Sequence, residues 1–323
     1  MAQPKHLRLD NVLLLFALLA MPVAVAPWLA RAHWSIDLVA CFPVQAMGLL
    51  VLAALWLAVC RRWRAAGACA LFAAIAAAAV VPDWLRTPPG PGPTAAAAET
   101  PPVRLLALNL LRGNHDHVAE ALAVVRAERP DVLFCSEVTP EWCAGLAEAL
   151  TELPHRHLAA DAGYYGVALF SRWPLTDATT IPLGTPYAPA LRATIAAPHG
   201  PLGLLGVHTP RPGDARRNQE RDRALAAIPA AVRGLPRAHL VLGDHNATPW
   251  TPTLRALLDD GSLRAATFAT WLPSWPTQWP LPLRIPIDHA LLGPGLDLVE
   301  VHVGEGFGSD HLPLAVAVRI SPR

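Results

Sequence analysis

Hydrophobic positions run almost unbroken through the first eighty residues, then split into short clusters separated by polar turns. The stretch "NVLLLFALLAMPVAVAPWLA" (11–30) carries no charge, and Leu38 to Val59 and Ala65 to Val81 are likewise uncharged. A helix needs about 20 apolar residues to cross a bilayer, so the pattern predicts three transmembrane helices, the third at the short end of the range. From Val103 the pattern changes. "VRLLALNLL", "DVLFCSE", "GVALFS", "LRATIAA", "LGLLGVH", "AHLVLGDHN", "IDHALLG" and "SDHLPLAVAVRI" each read as a strand. Between them lie amphipathic segments. Asp116 is placed to cap a helix with Val118, Leu122 and Val125 on one face, ended by Pro130, and a second helix spans about 217–232. Residues 103–323 therefore predict an α/β domain.

Composition sharpens the division. The hydrophobic fraction of 53% and mean hydropathy of +0.32 are high, and the excess sits in residues 1–86. Lys5 and Arg8 precede the first apolar stretch, and Arg61, Arg62 and Arg64 follow the second, whereas the opposite side has only Arg31 and Arg86. The positive-inside rule puts the N-terminus in the cytoplasm and everything after residue 82 outside it. A cleaved signal peptide ending at "ARA" (30–32) is the alternative for the first stretch, and it leaves the C-terminal part outside as well. "TPPGPGPTAAAAETPP" (87–102) reads as an extended, semi-rigid linker. Five cysteines are too few for a disulfide scaffold; Cys135 and Cys143 lie outside the apolar stretches and are read as buried free thiols, pairing being the alternative.

Strand after strand ends in a group suited to metal or phosphate: Asn109, Glu137, His208, Asp244 with Asn246, Asp288, and Asp310 with His311. Each alone is explained as a turn residue, a helix cap or a satisfied imidazole. Six recurrences are not explained by turns. In order, "LALNLL", "PDVLFCSE", "GVHTP", "LGDHN", "IPIDHALL" and "GSDHLPL" resemble the endonuclease/exonuclease/phosphatase (DNase I-like) superfamily over about 103–320. With apolar spans in front, the chain looks most like the membrane-anchored bacterial branch that includes teicoplanin-resistance proteins. The resemblance implies a four-layer α/β/β/α sandwich of two packed mixed sheets, with the site at one edge.

The expected chemistry is phosphoester or diphosphate hydrolysis assisted by Mg²⁺, with Mn²⁺ as the alternative metal. Mg²⁺ prefers a few carboxylates plus waters and substrate oxygens. Glu137 and Asp310 fit as ligands, with Asn109 beside them. By resemblance, Asp244 activates the attacking water, Asn246 donates to a phosphate oxygen and His208 contacts phosphate. His311, oriented by Asp288, holds or protonates the phosphoryl group. His245 should point to the opposite face. Arg192 is open between substrate contact and a structural salt bridge.

From Val103 onward there are 19 Arg and no Lys against 21 Asp and Glu, a net of −2, so the basic footprint of a nucleic-acid binder is missing. The expected partners are the bilayer and a phosphorylated envelope lipid. A nuclease of the same fold and a non-catalytic head-group-binding protein are the alternatives. Finally, Trp271, Trp275 and Trp279 recur every fourth residue in "TWLPSWPTQWPLPL", but four prolines argue against a helix. Those indoles belong either to the domain's own core or to the membrane–water boundary, where Trp is enriched.

Overall fold

A computed structural model describes residues 9–85, 101–259 and 261–321, so the expected 87–102 linker falls almost wholly outside the described residues. The chain forms two compact units, one helical and one α/β.

The helical unit consists of α1 (Leu9–Leu29), α2 (Trp34–Val39), α3 (Pro43–Val59) and α4 (Trp63–Trp84). Among the described residues, α1 and α4 are the two helices that pass a length-and-composition test for crossing a membrane. The expected second span, 38–59, is not one helix. Proline has no N–H to donate and biases the residue before it away from helical backbone, so Pro43 sits at the start of α3 and Phe42 is its non-helical cap. The 17 residues of α3 reach about 25 Å, the lower end of what crosses a hydrocarbon core of about 30 Å. Small side chains line the inside of this unit, among them Ala17, Ala20, Ala24, Ala53, Ala73 and Ala76. Large apolar ones such as Leu15, Phe16, Leu19, Leu52, Leu55 and Leu71 face out. Arg62 Nη1 donates to Asp10 Oδ2 at 3.0 Å, which holds the start of α1 beside the α3–α4 turn.

In the α/β unit twelve strands form two six-stranded sheets. One has the order β11-β12-β1-β2-β4-β3 and the other β5-β6-β7-β8-β10-β9. The first contains β1 (Val103–Asn109), β2 (Val132–Ser136), β3 (His155–Ala159), β4 (Val167–Ser171), β11 (Leu296–Val303) and β12 (Leu314–Ile320). The second contains β5 (Leu175–Pro182), β6 (Pro189–Ala197), β7 (Gly200–His208), β8 (His239–Asp244), β9 (Arg264–Ala265) and β10 (Asp288–Leu292). Alternate residues of a strand face opposite sides, and the core divides accordingly. Val132 and Phe134 of β2 join Leu204, Leu240 and Leu242 between the sheets. Leu133 and Cys135 face α5 (Val118–Glu128) and α6 (Pro140–Ala149) on the outside. Leu205, Val207 and Val241 do the same against α7 (Ala215–Ala231). Both sheets are mixed and flanked by helices, an α/β/β/α-like arrangement.

Several local readings change. Asp116 does not cap α5: a short 3-10 turn, His115–His117, precedes it and His117 is the cap residue. The Arg192 guanidinium donates to the carbonyl of Ala231, at the end of α7, and to that of Arg233 just beyond it. Cys135 and Cys143 are both free thiols.

One contact between sheets sets the site. Phe134 of β2 lies against β7 and β8, and a Cβ added to Gly206 would sit 2.2 Å from its ring. Gly243 has φ +130°, and a Cβ there would lie 2.3 Å from the Val207 carbonyl oxygen and 2.8 Å from the ring. Glycine is thus the residue that lets β8 run under Phe134 and deliver Asp244 at its end.

Candidate active site

Register builds the site. His208 pairs with Asp244 across the parallel β7–β8 ladder, and Asp244 pairs with Asp288 across the antiparallel β8–β10 ladder. Three of the candidate side chains therefore stand in one row across adjacent strands. From the other sheet, Asn109 ends β1 opposite Ser136, with Glu137 next in the chain. Both Glu137 (φ 56°) and Asn246 (φ 46°) hold left-handed backbone, a conformation uncommon in non-glycine residues and concentrated at functional sites.

Asp244 is the hub. Its Oδ2 accepts from Asn109 Nδ2 at 3.1 Å and from Asn246 Nδ2 at 3.2 Å, and Oδ1 accepts from the Asn246 N–H at 2.8 Å. His208 Nε2 and His311 Nε2 each lie 3.6 Å from Oδ2. Burial pushes the Asp244 carboxyl up to about 6, although His311 pulls the other way. His311 Nδ1 is 2.8 Å from Asp288 Oδ2. Burial alone would lower the His311 pKa, but the Asp288 and Asp244 carboxylates outweigh it and raise it to about 10. Asp288 is held below its ordinary value, because His311 overcomes the opposing effect of burial. His208 is lowered by burial, with Asp244 opposing.

Glu137 accepts from Asn109 Nδ2 at 3.3 Å and from the Arg112 N–H at 3.2 Å. Its pKa is raised, first by burial and further by Asp310. The Asn109 amide oxygen is taken by the Leu111 N–H at 3.1 Å, so the side chain bridges Glu137 and Asp244. Asn246 spends its amide on the Thr209 carbonyl (2.9 Å) and on Asp244, which fixes the Asp244 carboxylate. His245 points away, as its position between Asp244 and Asn246 requires, and meets His289 edge-on at 5.4 Å. Burial lowers His245 to about 4 and His289 to about 3, so both are neutral.

Three supporting residues had not been singled out for this role. Trp275 Nε1 donates to Asp310 Oδ2 at 3.0 Å. Ser309 Oγ donates to the Asn109 carbonyl at 2.6 Å and accepts from the His311 N–H at 3.1 Å. Ser274 Oγ accepts from the Asp288 N–H at 3.4 Å. The tryptophans divide: Trp275 serves the site, Trp271 is half-buried and Trp279 is exposed. Their fourfold spacing was the one sequence signal at Trp275, and it could not assign the indole a partner.

Glu137, His208 and Asp310 open onto a cleft of about 560 Å³ also lined by Tyr165, Arg211 and Arg217. Two groups of donors suit a cation. Donor atoms of Asp244, Asp288 and His311 all lie within 4.8 Å of one another, though with His311 protonated its nitrogen offers no lone pair. On the cleft side, Asp310 Oδ1 is shielded from solvent without a hydrogen-bond partner, and the Asp310 carboxylate adds to the cost of ionising Glu137. An excess of carboxylates around one unsatisfied oxygen fits a divalent cation.

Solved structures share this architecture. An endonuclease/exonuclease/phosphatase protein from Beutenbergia cavernae superposes with TM-score 0.55 at 21% identity, covering 69% of this chain and 72% of that one. TDP2 from D. rerio, complexed with a single-strand DNA product, gives 0.57 at 16% identity, covering 67% and 98%. The human Nocturnin catalytic domain gives 0.55 at 17% identity, covering 68% and 95%. At these identities the likeness is one of fold. No curated protein matches the chain. The model of the Endonuclease/Exonuclease/phosphatase family matches residues 106–311. That span begins in β1 and ends on His311, taking in every strand-end group of the cluster, and the chain belongs to this family.

Proposed function

We propose that the protein is a membrane-anchored phosphoesterase, with α3 as a short third crossing between α1 and α4, that uses Mg²⁺, or Mn²⁺, to hydrolyse a phosphate or pyrophosphate of an envelope lipid outside the cytoplasm. The observation that carries the chemistry is Asp244, buried and bridged to both sheets by Asn109 and Asn246 while facing two histidines. Glu137 and Asp310 would hold the metal, with Asn109 fixing Glu137. A metal bound there would supply polarisation of a phosphoryl oxygen and charge stabilisation for the leaving oxygen.

Asp244 orients the attacking water and takes its proton, a task suited to a carboxyl raised to about 6. His311, kept cationic by Asp288, neutralises charge growing on the phosphoryl group. His208 reaches the same group from the cleft side. Asn246 keeps the Asp244 carboxylate turned towards the attacking water.

Support for the anchor comes from the helical unit, whose small residues face in and large apolar residues face out. This is the reverse of a water-exposed bundle and suits a lipid surround. The net charge of −2 from Val103 onward favours a lipid over a nucleic-acid substrate. The teicoplanin-resistance resemblance belongs to the same reading.

The test is phosphate release by the full chain in detergent from lipid phosphates and diphosphates. Glu137→Gln and Asp244→Asn should each lower the rate by at least about a hundredfold with the fold retained, and EDTA should mimic the first. Rates that survive chelation would remove the metal reading. A periplasm-active reporter fused at the C-terminus should be active; a cytoplasm-active one in its place would reverse the orientation.

A further inference from the structure

The loop between β9 and β10 has an inner and an outer part with opposite characters. Its inner residues are committed to the site through Ser274 and Trp275. Its outer residues, Gln278 to Leu283, are exposed throughout and read "QWPLPL", with no charge. Trp279, Leu281 and Leu283 are 43%, 57% and 48% exposed. Removing such apolar surface from water is favourable, so three such side chains side by side at one tip suit a surface that covers them. The other exposed large apolar residues described in this unit (Leu158, Tyr164, Tyr187, Val299) do not form such a run.

The tip is held in place. Arg284 donates to the Trp279 carbonyl at 2.8 Å and to the Thr277 carbonyl at 2.7 Å, and Leu283 N–H reaches the Pro280 carbonyl at 2.8 Å. The Trp279 and Trp275 rings are 6.4 Å apart, and Trp275 in turn lies 6.5 Å from His311. An apolar surface fixed beforehand by prolines and backbone bonds loses little freedom on docking.

We propose that Trp279, Leu281 and Leu283 form a docking tip that seats in the interfacial layer of a lipid bilayer beside the active-site cleft. The occupant follows from the chemistry of the segment. An indole pairs an apolar ring with a polar N–H and suits the membrane boundary. From 271 to 287 the only charged residue is Arg284, so nothing there repels anionic head groups. The same chain carries the apolar helices α1 and α4, and residues 86–100 can extend no further than about 55 Å. This inference rests on the membrane-anchored reading and adds the surface by which the site meets its lipid.

The experiment places the full chain in nanodiscs of phosphatidylcholine and phosphatidylglycerol. Cys60→Ser and Cys143→Ser remove the accessible thiols. An environment-sensitive fluorophore is attached at Leu281→Cys or, as a control, at the exposed Glu152→Cys. The probe at 281 should emit at shorter wavelength and be quenched several-fold more by doxyl lipids than the probe at 152, which should answer to aqueous iodide. A probe at 281 that iodide reaches and doxyl lipids do not would overturn the proposal. So would shielding from both quenchers that grows with protein density, which would indicate a second copy as the cover. The readout involves no hydrolysis. An inactive protein with a lipid-seated tip would therefore count against the phosphoesterase reading alone, and an active one with a wet tip against the docking tip alone.

Discussion

Replacing Trp275 by Phe isolates one hydrogen bond. Phe keeps an aromatic ring for Arg211, whose guanidinium lies 5.0 Å from the Trp275 ring centroid, and for Trp279. It removes the N–H that holds Asp310 Oδ2 at 3.0 Å. A hydrogen bond to a charged group contributes about 1.5–3 kcal/mol, or about 10- to 150-fold in an equilibrium constant. Trp275 is only half-buried, so water can partly replace the donor and the lower end applies. Losing a group that orients a metal ligand falls in the same range, about 10- to 100-fold. Trp275→Phe should therefore weaken metal activation about tenfold, while activity at saturating metal changes far less. The assay is phosphate release titrated with Mg²⁺ or Mn²⁺, paired with calorimetric titration of Mn²⁺. Unchanged or tighter metal affinity would show that Asp310 needs no such orientation or that it does not bind the metal.

Two further outcomes follow from packing and titration. Gly243→Ala must adopt φ +130° and place a Cβ against the Val207 carbonyl and Phe134; backbone strain alone costs about 1–3 kcal/mol, so the melting temperature of the α/β unit should fall with activity, and an unchanged melt would refute the role given to Phe134. His245 and His289 have folded pKa values of about 4 and about 3, below the unfolded value of about 6.5, so the unfolded chain binds protons the native state refuses. Their contribution is present above about pH 6.5 and is lost as pH falls towards 4, at up to about 1.4 kcal/mol per pH unit for each. His289→Gln should flatten the dependence of the melting temperature on pH between 6.5 and 4, followed by near-UV circular dichroism; an identical slope would show that His289 is already protonated in the fold.

Much of this was legible beforehand because the site sits at strand ends. A buried strand must be apolar, so a polar residue at its tip stands out, and register then brings His208, Asp244 and Asp288 into one row. What could not be read depends on contacts between distant segments. No local pattern says that Phe134 will fill the space above Gly243, or that Trp275 will find Asp310. The part-exposed edge strands β3 and β5 lack the apolar runs that mark the central strands. The splitting of the 38–59 stretch was visible in Pro43 itself; hydropathy counted it as apolar, while its missing N–H made it a helix start.

The hydrogen bond from Ser309 to the Asn109 carbonyl joins residues 200 positions apart, and β12 pairs with β1 across a similar distance. As the chain is made, β1 waits for its second neighbour until the long stretch between them has been synthesised. Closing so long a loop is slow and comes late in folding. On the proposed reading, hydrolysis then waits on this last pairing, because β12 closes the sheet that carries Asn109 and Glu137. The compartment into which β12 is released is the one where the chemistry first becomes available.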